Sequence, residues 1–275
     1  MLKTVKYMSF DKTILLTNDD GITSLGLQSL RRELAELGNV ICIAPRSPSS
    51  AISKALTFHK PIRYRSVKFE GGQKGYSTSG SPADNVLVGF HLLNRKPDIV
   101  VSGINYGDNS SIHSVLTSGT CAAAFEAALN GVPAIAFSSD VADDAQLIEQ
   151  DGVNFEPMAK IAKNITKEVL ETEWPKNLAF LNVNFPVEIT DETEMFVTFP
   201  NLYKYDNYMI AKKDPRVLPY LWLWGERKKS FPEGSDTWAV IEKKAISITP
   251  IGFNLHAKTE ETSKFLEYIK NKING

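Results

Sequence analysis

Apolar positions along this chain repeat with two alternating periods, and the alternation predicts an α/β fold. Thr13–Thr17 is a short continuous apolar run, the signature of a strand buried on both faces. Leu27, Leu30, Leu34 and Leu37 then fall at helical spacing, predicting a helix over Leu25–Leu37 that Gly38 stops. Val40-Ile41-Cys42-Ile43-Ala44 predicts a second buried strand, closed by Pro45. Ile62–Phe69 and Lys74–Thr78 read as a hairpin joined across Gly71-Gly72. A helix over Ala83–Leu93, a strand over Asp98–Val101, an alanine-rich helix over Cys121–Leu129 and a strand over Ala134–Ser138 continue the rhythm. Met158, Ile161, Ile165 and Val169 mark an amphipathic helix, and Leu178–Val183 a further strand. Strand and helix in strict succession point to an open, doubly wound, mostly parallel sheet.

After about Pro186 the rhythm breaks. Residues 190–238 are rich in aromatics, prolines and charges, with Trp222, Trp224 and Trp238 in a strand-like stretch around Tyr220-Leu221-Trp222-Leu223-Trp224. Such a stretch predicts an extended arm or hairpin, whose aromatics serve as core or subunit contacts. A strand at Ala245–Thr249 and a basic helix near Glu260–Lys272 close the chain.

Composition narrows the functional classes. The chain has 275 residues, 43% of them hydrophobic, enough for a substantial core in one large domain. Thirty-one basic and 32 acidic residues leave a formal charge of −1, which argues against binding a nucleic-acid polymer through bulk electrostatics. Cys42 and Cys121 have no metal-ligand spacing and do not suggest a disulfide scaffold. Residues 1–10 lack the apolar core of a signal peptide, and no stretch approaches membrane-spanning length. The expectation is a soluble, cytoplasmic protein without a membrane partner.

The chemistry gathers where strands end. In open α/β sheets, ligands bind outside the carboxyl ends of the strands. The first strand ends in Asn18-Asp19-Asp20-Gly21. Two adjacent carboxylates repel unless a positive guest sits between them, and a hard divalent cation, which prefers oxygen ligands, is the simplest guest. Adjacent strand residues point to opposite faces, so both reach one point only if the chain turns, and Gly21 permits that turn. Three further loops share this polar character. Arg46-Ser47-Pro48-Ser49-Ser50-Ala51-Ile52-Ser53 follows the second strand with a run of hydroxyls. Ser102-Gly103-Ile104-Asn105-Tyr106-Gly107-Asp108-Asn109 offers amide oxygens and two glycines. Thr117-Ser118-Gly119-Thr120 opens the alanine-rich helix, where backbone N–H groups flanked by hydroxyls form a natural phosphate seat.

Taken together, Asn18-Asp19-Asp20-Gly21, Ser79-Gly80-Ser81-Pro82-Ala83-Asp84, Ser102-Gly103-Ile104-Asn105 with Gly107 and Asn109, and Ser118-Gly119-Thr120 before Ala122-Ala123-Ala124 resemble the SurE (survival protein E) family of metal-dependent nucleotide phosphatases. The likeness runs from about residue 13 to 138 and resumes at Ser235–Val240 and Ile246–Pro250. It implies a single domain over 1–275: a Rossmann-like core at 11–188, and an extension at 189–275 used to exchange strands or helices in a homodimer or homotetramer. It also implies one divalent cation per subunit, Mg²⁺ or Mn²⁺, held by Asp19, Asp20, Ser50 and Asn105. The same resemblance assigns the substrate phosphate to Ser118, Gly119 and Thr120, with Asn18 and Asn109 nearby. Either Asp19 or Asp20, beyond ligating, is a candidate acceptor for the attacking water's proton.

Several positions depart from the family pattern. Arg46 replaces an acidic residue, Asn85 a frequent cysteine, and Thr117 a tyrosine, while the stretch from Asn105 to Thr120 is one residue longer. His113, within that altered loop, is a candidate acid for the leaving group. Rival readings fare worse. The haloacid dehalogenase chemistry wants Asp-x-Asp, but Gly21 and Ile22 stand two residues beyond Asp19 and Asp20. No Gly-x-Gly-x-x-Gly follows the first strand, against a dinucleotide-binding module. The expectation is therefore a metal-dependent phosphomonoesterase, a 5′-nucleotidase acting on nucleoside 5′- and possibly 3′-monophosphates, the alternative being a catalytically degenerate nucleotide-binding member of the same fold.

Overall fold

The computed structural model describes residues 12–70, 73–141 and 153–274; the expected Gly71-Gly72 turn and residues 1–10 lie outside these. The elements are β1 (Thr13–Thr17), α1 (Leu25–Leu34), β2 (Asn39–Pro45), β3 (Tyr64–Lys68), β4 (Lys74–Thr78), α2 (Pro82–Leu93), β5 (Ile99–Tyr106), α3 (Ile112–Thr117), α4 (Gly119–Leu129), β6 (Ala134–Ser139), α5 (Glu156–Glu171), β7 (Leu178–Phe185), β8 (Met195–Val197), β9 (Tyr205–Lys213), β10 (Pro219–Arg227), β11 (Ile246–Gly252) and α6 (Glu260–Asn274). Nine strands form one sheet in the order β3-β4-β2-β1-β5-β6-β7-β11-β8. The run from β4 through β7 is parallel, as the continuous apolar strands require; β3 and β11 pair antiparallel with β4 and β7.

All five residues of β1 are buried because helices cover both faces. On one face α1 and α5 pack over Ile14, Leu16, Val101 and Phe137; on the other α2 and α4 pack over Leu15, Ile43, Val100 and Ala136. From β1 the chain winds outward to β2 in one direction, and β5 takes β1's other side. The strand order thus reverses between β1 and β5, and such a switch point opens a crevice at the strands' carboxyl ends.

Three elements differ from the sequence expectation. α1 stops at Leu34, where Glu36 and Leu37 tighten the last turn with N–H bonds to Glu33 and Leu34. β5 runs on to Tyr106 although its second half is polar, because Asn105 and Tyr106 pair with Ser138 and Ser139 after a register shift. Trp238 lies in a π-helical turn, Trp238–Glu242, away from the strand of Trp222 and Trp224.

The stretch from 189 onward divides in two. β8 and β11 complete the sheet, whereas β9 and β10 pair only with each other as a separate hairpin. That hairpin is fixed at its base by two ion pairs to the core. The Lys204 ammonium sits 2.5 Å from Asp108, and Arg227 bonds both oxygens of Asp140 at 2.8 and 3.2 Å. Both pairs are largely buried, so breaking one partner would leave an uncompensated charge.

Candidate active site

The crevice between β1 and β5 is where the sequence-predicted residues meet. β1 ends at Thr17, and Asn18 immediately folds back. Its amide donates to the Gly21 carbonyl and the Ser24 hydroxyl and accepts the Gly21 N–H, so both ends of the side chain are spent bracing the turn. Gly21 completes the turn at φ +106°, a conformation that a Cβ would strain. The turn carries Asp19 and Asp20 to the rim in succession. Asp19 is buried and Asp20 half-buried.

Each carboxylate is held by a different neighbour. The Thr120 hydroxyl donates to Asp19 Oδ1. The Gly119 and Thr120 N–H groups, at the start of α4, also turn to this carboxylate. A Cβ on Gly119 would stand 2.8 Å from Asp19 Cβ and 2.9 Å from Oδ2, so only glycine lets the helix start approach this closely. Asp20 Oδ2 accepts the Tyr106 N–H at 3.0 Å from β5. Burial raises Asp19 above the ordinary carboxylate range. Burial, and then the charge of Asp19, push Asp20 up to about 7. Two buried like charges side by side hold protons to relieve the repulsion, and a cation between them relieves it equally well.

Asn105 stands next to Tyr106 on the same strand end. Its Nδ2 donates to the Gly107 carbonyl, which directs Oδ1 as an acceptor. The loop of Ser50 is carried to the rim by main-chain bonds: Ser49 N–H donates to the Asp19 carbonyl at 2.8 Å and Ser53 N–H to the Thr117 carbonyl at 2.8 Å. Ser50 itself is exposed. Among the described residues no three His, Cys, Asp or Glu side chains gather as a metal cluster. The oxygen set is two carboxylates and neutral donors, which suits a hard divalent cation better than a transition-metal site of imidazoles and thiolates.

Around this centre the remaining predicted residues take supporting positions. Ser118 is the N-cap of α4, its hydroxyl accepting the Cys121 N–H at 3.0 Å. Asn109 is buried, donating its amide to Ser138 while its main chain is gripped by Asn184 and Asn182. His113 is exposed on α3, its ring against Tyr203 at 5.9 Å.

Two carboxylates stood within motifs that the sequence analysis quoted, without a role assigned to either. Asp84 closes a capping box with Ser81 on α2 and accepts the Thr57 N–H and hydroxyl, which ties down the far end of the Ser50 loop. The motif itself, a Ser-Pro-x-Asp before an apolar run, was the available signal. Asp236 is fully buried and accepts N–H bonds from Ser111, Asn201 and Thr237, fastening the C-terminal segment to the turn before α3.

A doubly wound sheet with paired carboxylates and a helix start facing one another at its switch point defines a site for an anionic ligand handled together with a cation. Residues 14–206 match the family model described as Survival protein SurE. This chain belongs to that family. It is 40% identical over 266 residues to "5′-nucleotidase SurE" of Hyperthermus butylicus, covering 97% of this chain and 94% of that protein. It is 38% identical to the protein of the same name from Thermofilum pendens, covering 94% and 98%. The crystal structure of the SurE protein from Aquifex aeolicus superposes with a TM-score of 0.77 at 34% identity, covering 93% of this chain and 99% of that one.

Proposed function

We propose that this protein hydrolyses nucleoside 5′-monophosphates to nucleoside and phosphate. One observation carries the reading. Asp19, with Asp20 beside it, meets the first N–H groups of α4, in a chain 40% identical to a protein named 5′-nucleotidase SurE. Asp19, Asp20, Asn105 and Ser50 would hold one divalent cation, with Mg²⁺ or Mn²⁺ suited to their oxygen set. Such a cation supplies Lewis acidity, polarising a phosphoryl oxygen and acidifying water.

The protein's own groups do the rest. The start of α4, whose Gly119 N–H, Thr120 N–H and Thr120 hydroxyl turn to Asp19, brings a positive dipole end to the crevice where phosphoryl charge would build. Ser118 keeps that helix start in place through its cap. Asn18 and Asn109 act from behind, one fixing the acidic turn and the other the β5 loop. Asp19 or Asp20, beyond holding the cation, would accept the proton of an attacking water.

Phosphate release from a panel of nucleoside monophosphates, with Mg²⁺, Mn²⁺ or EDTA, tests this. Turnover that requires the cation is expected. Tight nucleotide binding with no turnover under any cation would instead favour the degenerate, binding-only member.

The same residues support an assembly. A two-stranded hairpin is marginal on its own, yet β9–β10 leaves Leu221 65%, Trp222 60% and Leu223 63% exposed. Helix α6 likewise leaves Phe265, Leu266, Tyr268 and Ile273 exposed. Apolar surface this extensive is covered by other copies of the chain in a homodimer or homotetramer. Leu221→Glu with Leu223→Glu is expected to lower the mass measured in solution by light scattering; an unchanged mass would rule out the hairpin as the contact. The two unpaired thiols, Cys42 and Cys121, suit a reducing compartment such as the cytoplasm.

A further inference from the structure

Ser50 reaches the rim on a loop that its own backbone resists. Ala51 and Ser53 both stand at φ +55°, in the left-handed region that residues other than glycine disfavour. Apolar burial does not anchor the loop there, because Ser50, Ala51, Ile52 and Ser53 are all exposed. Ser53 and Lys54 border a largely apolar cavity of about 340 Å³, together with Leu116, Phe125 and Phe180. Side chains beside such a cavity lack the close contacts of a filled core.

What fixes the loop is polar. The Ser53 N–H and hydroxyl donate to the Thr117 and Leu116 carbonyls at 2.8 and 2.7 Å, at the end of α3. The Ala55 carbonyl accepts the Ser81 hydroxyl at 2.6 Å, and Thr57 is tied to Asp84. Between these ties stands an ion pair. The Lys54 ammonium lies 2.5 Å from Glu126 Oε2 on α4. Glu126 is buried, and its other oxygen accepts the Asn130 side-chain amide at 2.9 Å. Without Lys54 that buried carboxylate would lose its counter-charge.

Glu126 lies about two turns along α4 from Gly119. The helix whose start meets Asp19 therefore also grips the loop that carries Ser50. Main-chain ties survive most substitutions, whereas the ion pair depends on the identities of residues 54 and 126.

Resting on the cation site of the nucleotidase reading above, we infer that the Lys54–Glu126 pair is the latch that positions Ser50 toward the cation. Lys54 is a positioning residue: it touches neither cation nor substrate and acts through the loop. The left-handed residues on either side of Ile52 give that loop a reason to relax once the latch opens.

The test measures Mn²⁺ affinity of the full-length protein by isothermal titration calorimetry, without nucleotide, alongside the Tm of the EDTA-treated forms. Lys54→Met and Glu126→Gln are each expected to weaken Mn²⁺ binding by about tenfold, the low end of what supporting contacts contribute at metal sites. The double variant is expected to bind no more weakly than the weaker single, because both changes open one latch. Lys54→Arg, which keeps the charge, is expected to bind Mn²⁺ close to wild type. Should Glu126→Gln fail to fold, Lys54→Met, at a partly exposed position, decides alone. Wild-type Mn²⁺ affinity in Lys54→Met, even with a lowered Tm, would overturn the inference, as would losses that add in the double variant or that Lys54→Arg shares. No Mn²⁺ binding by wild type would overturn the cation site and the latch together. Latch-dependent Mn²⁺ binding without hydrolysis of any nucleoside monophosphate would overturn the nucleotidase reading alone.

Discussion

Asp19→Asn is expected to lower kcat/KM for a nucleoside monophosphate by about 10²–10³-fold, with the fold retained. The size follows from what the carboxylate does at once. It carries half of the negative charge that would bind a divalent cation, and it accepts the Thr120 hydroxyl and faces the first N–H groups of α4. Asparagine fills the same volume and still offers Thr120 an acceptor oxygen, so the helix start stays in place. What it removes is charge at the point where charge is needed, and losses of single electrostatic groups in hydrolytic sites run to two or three orders of magnitude. Circular dichroism and a thermal melt separate this from unfolding. Phosphate release at the wild-type rate, still blocked by EDTA, would move the cation site elsewhere.

What the sequence disclosed here, and what it hid, divides along physical lines. Strands buried on both faces announce themselves as apolar runs, so β1, β2, β6 and β7 were legible, and with them the parallel sheet. The acidic turn was legible because two adjacent carboxylates at the end of such a run repel unless a positive charge joins them. The second half of β5 was hidden, since Ser102–Tyr106 is polar and becomes a strand only through its partners on β6. α3 was hidden because six residues are too few to show a helical period. Ser118, Asn18 and Thr120 all read as candidate ligand donors in sequence, yet they spend their polar atoms on a cap, a turn and Asp19. Only the coordinates separate a polar atom already satisfied from one facing the crevice.

The deepest omission was the hairpin's anchorage. Lys204 and Arg227 meet Asp108 and Asp140 across separations of 96 and 87 residues, which no local pattern encodes. Those pairs fasten the base of an aromatic arm, recognisable from composition alone, to the first half of the chain.

Asp20→Asn is expected to stabilise the EDTA-treated protein at pH 8 while abolishing hydrolysis. Asp20 is raised from an ordinary value of 3.8 to about 7 by burial and by the adjacent charge of Asp19. The sign follows from proton linkage. Between these two values the folded state binds more protons at this site than the unfolded chain, so unfolding free energy falls as pH rises from about 4 to about 7. Below that window the site contributes nothing; above it the full deficit, roughly 2–4 kcal/mol, persists. Asparagine cannot ionise and still accepts the Tyr106 N–H, so the deficit disappears. In a chain of this length that is a rise in Tm of about 4–8 °C at pH 8, against little difference at pH 4. Adding Mn²⁺ is expected to raise the wild-type Tm at pH 8 and leave the variant nearly unchanged, because a cation stabilises only the form that binds it. If wild type and variant melted in parallel across the whole range, the two carboxylates would not be in electrostatic conflict, and the physical case for a cation between them would fall. With a cation held between Asp19 and Asp20, the repulsion that costs the empty protein stability would be the same charge that draws the cation in.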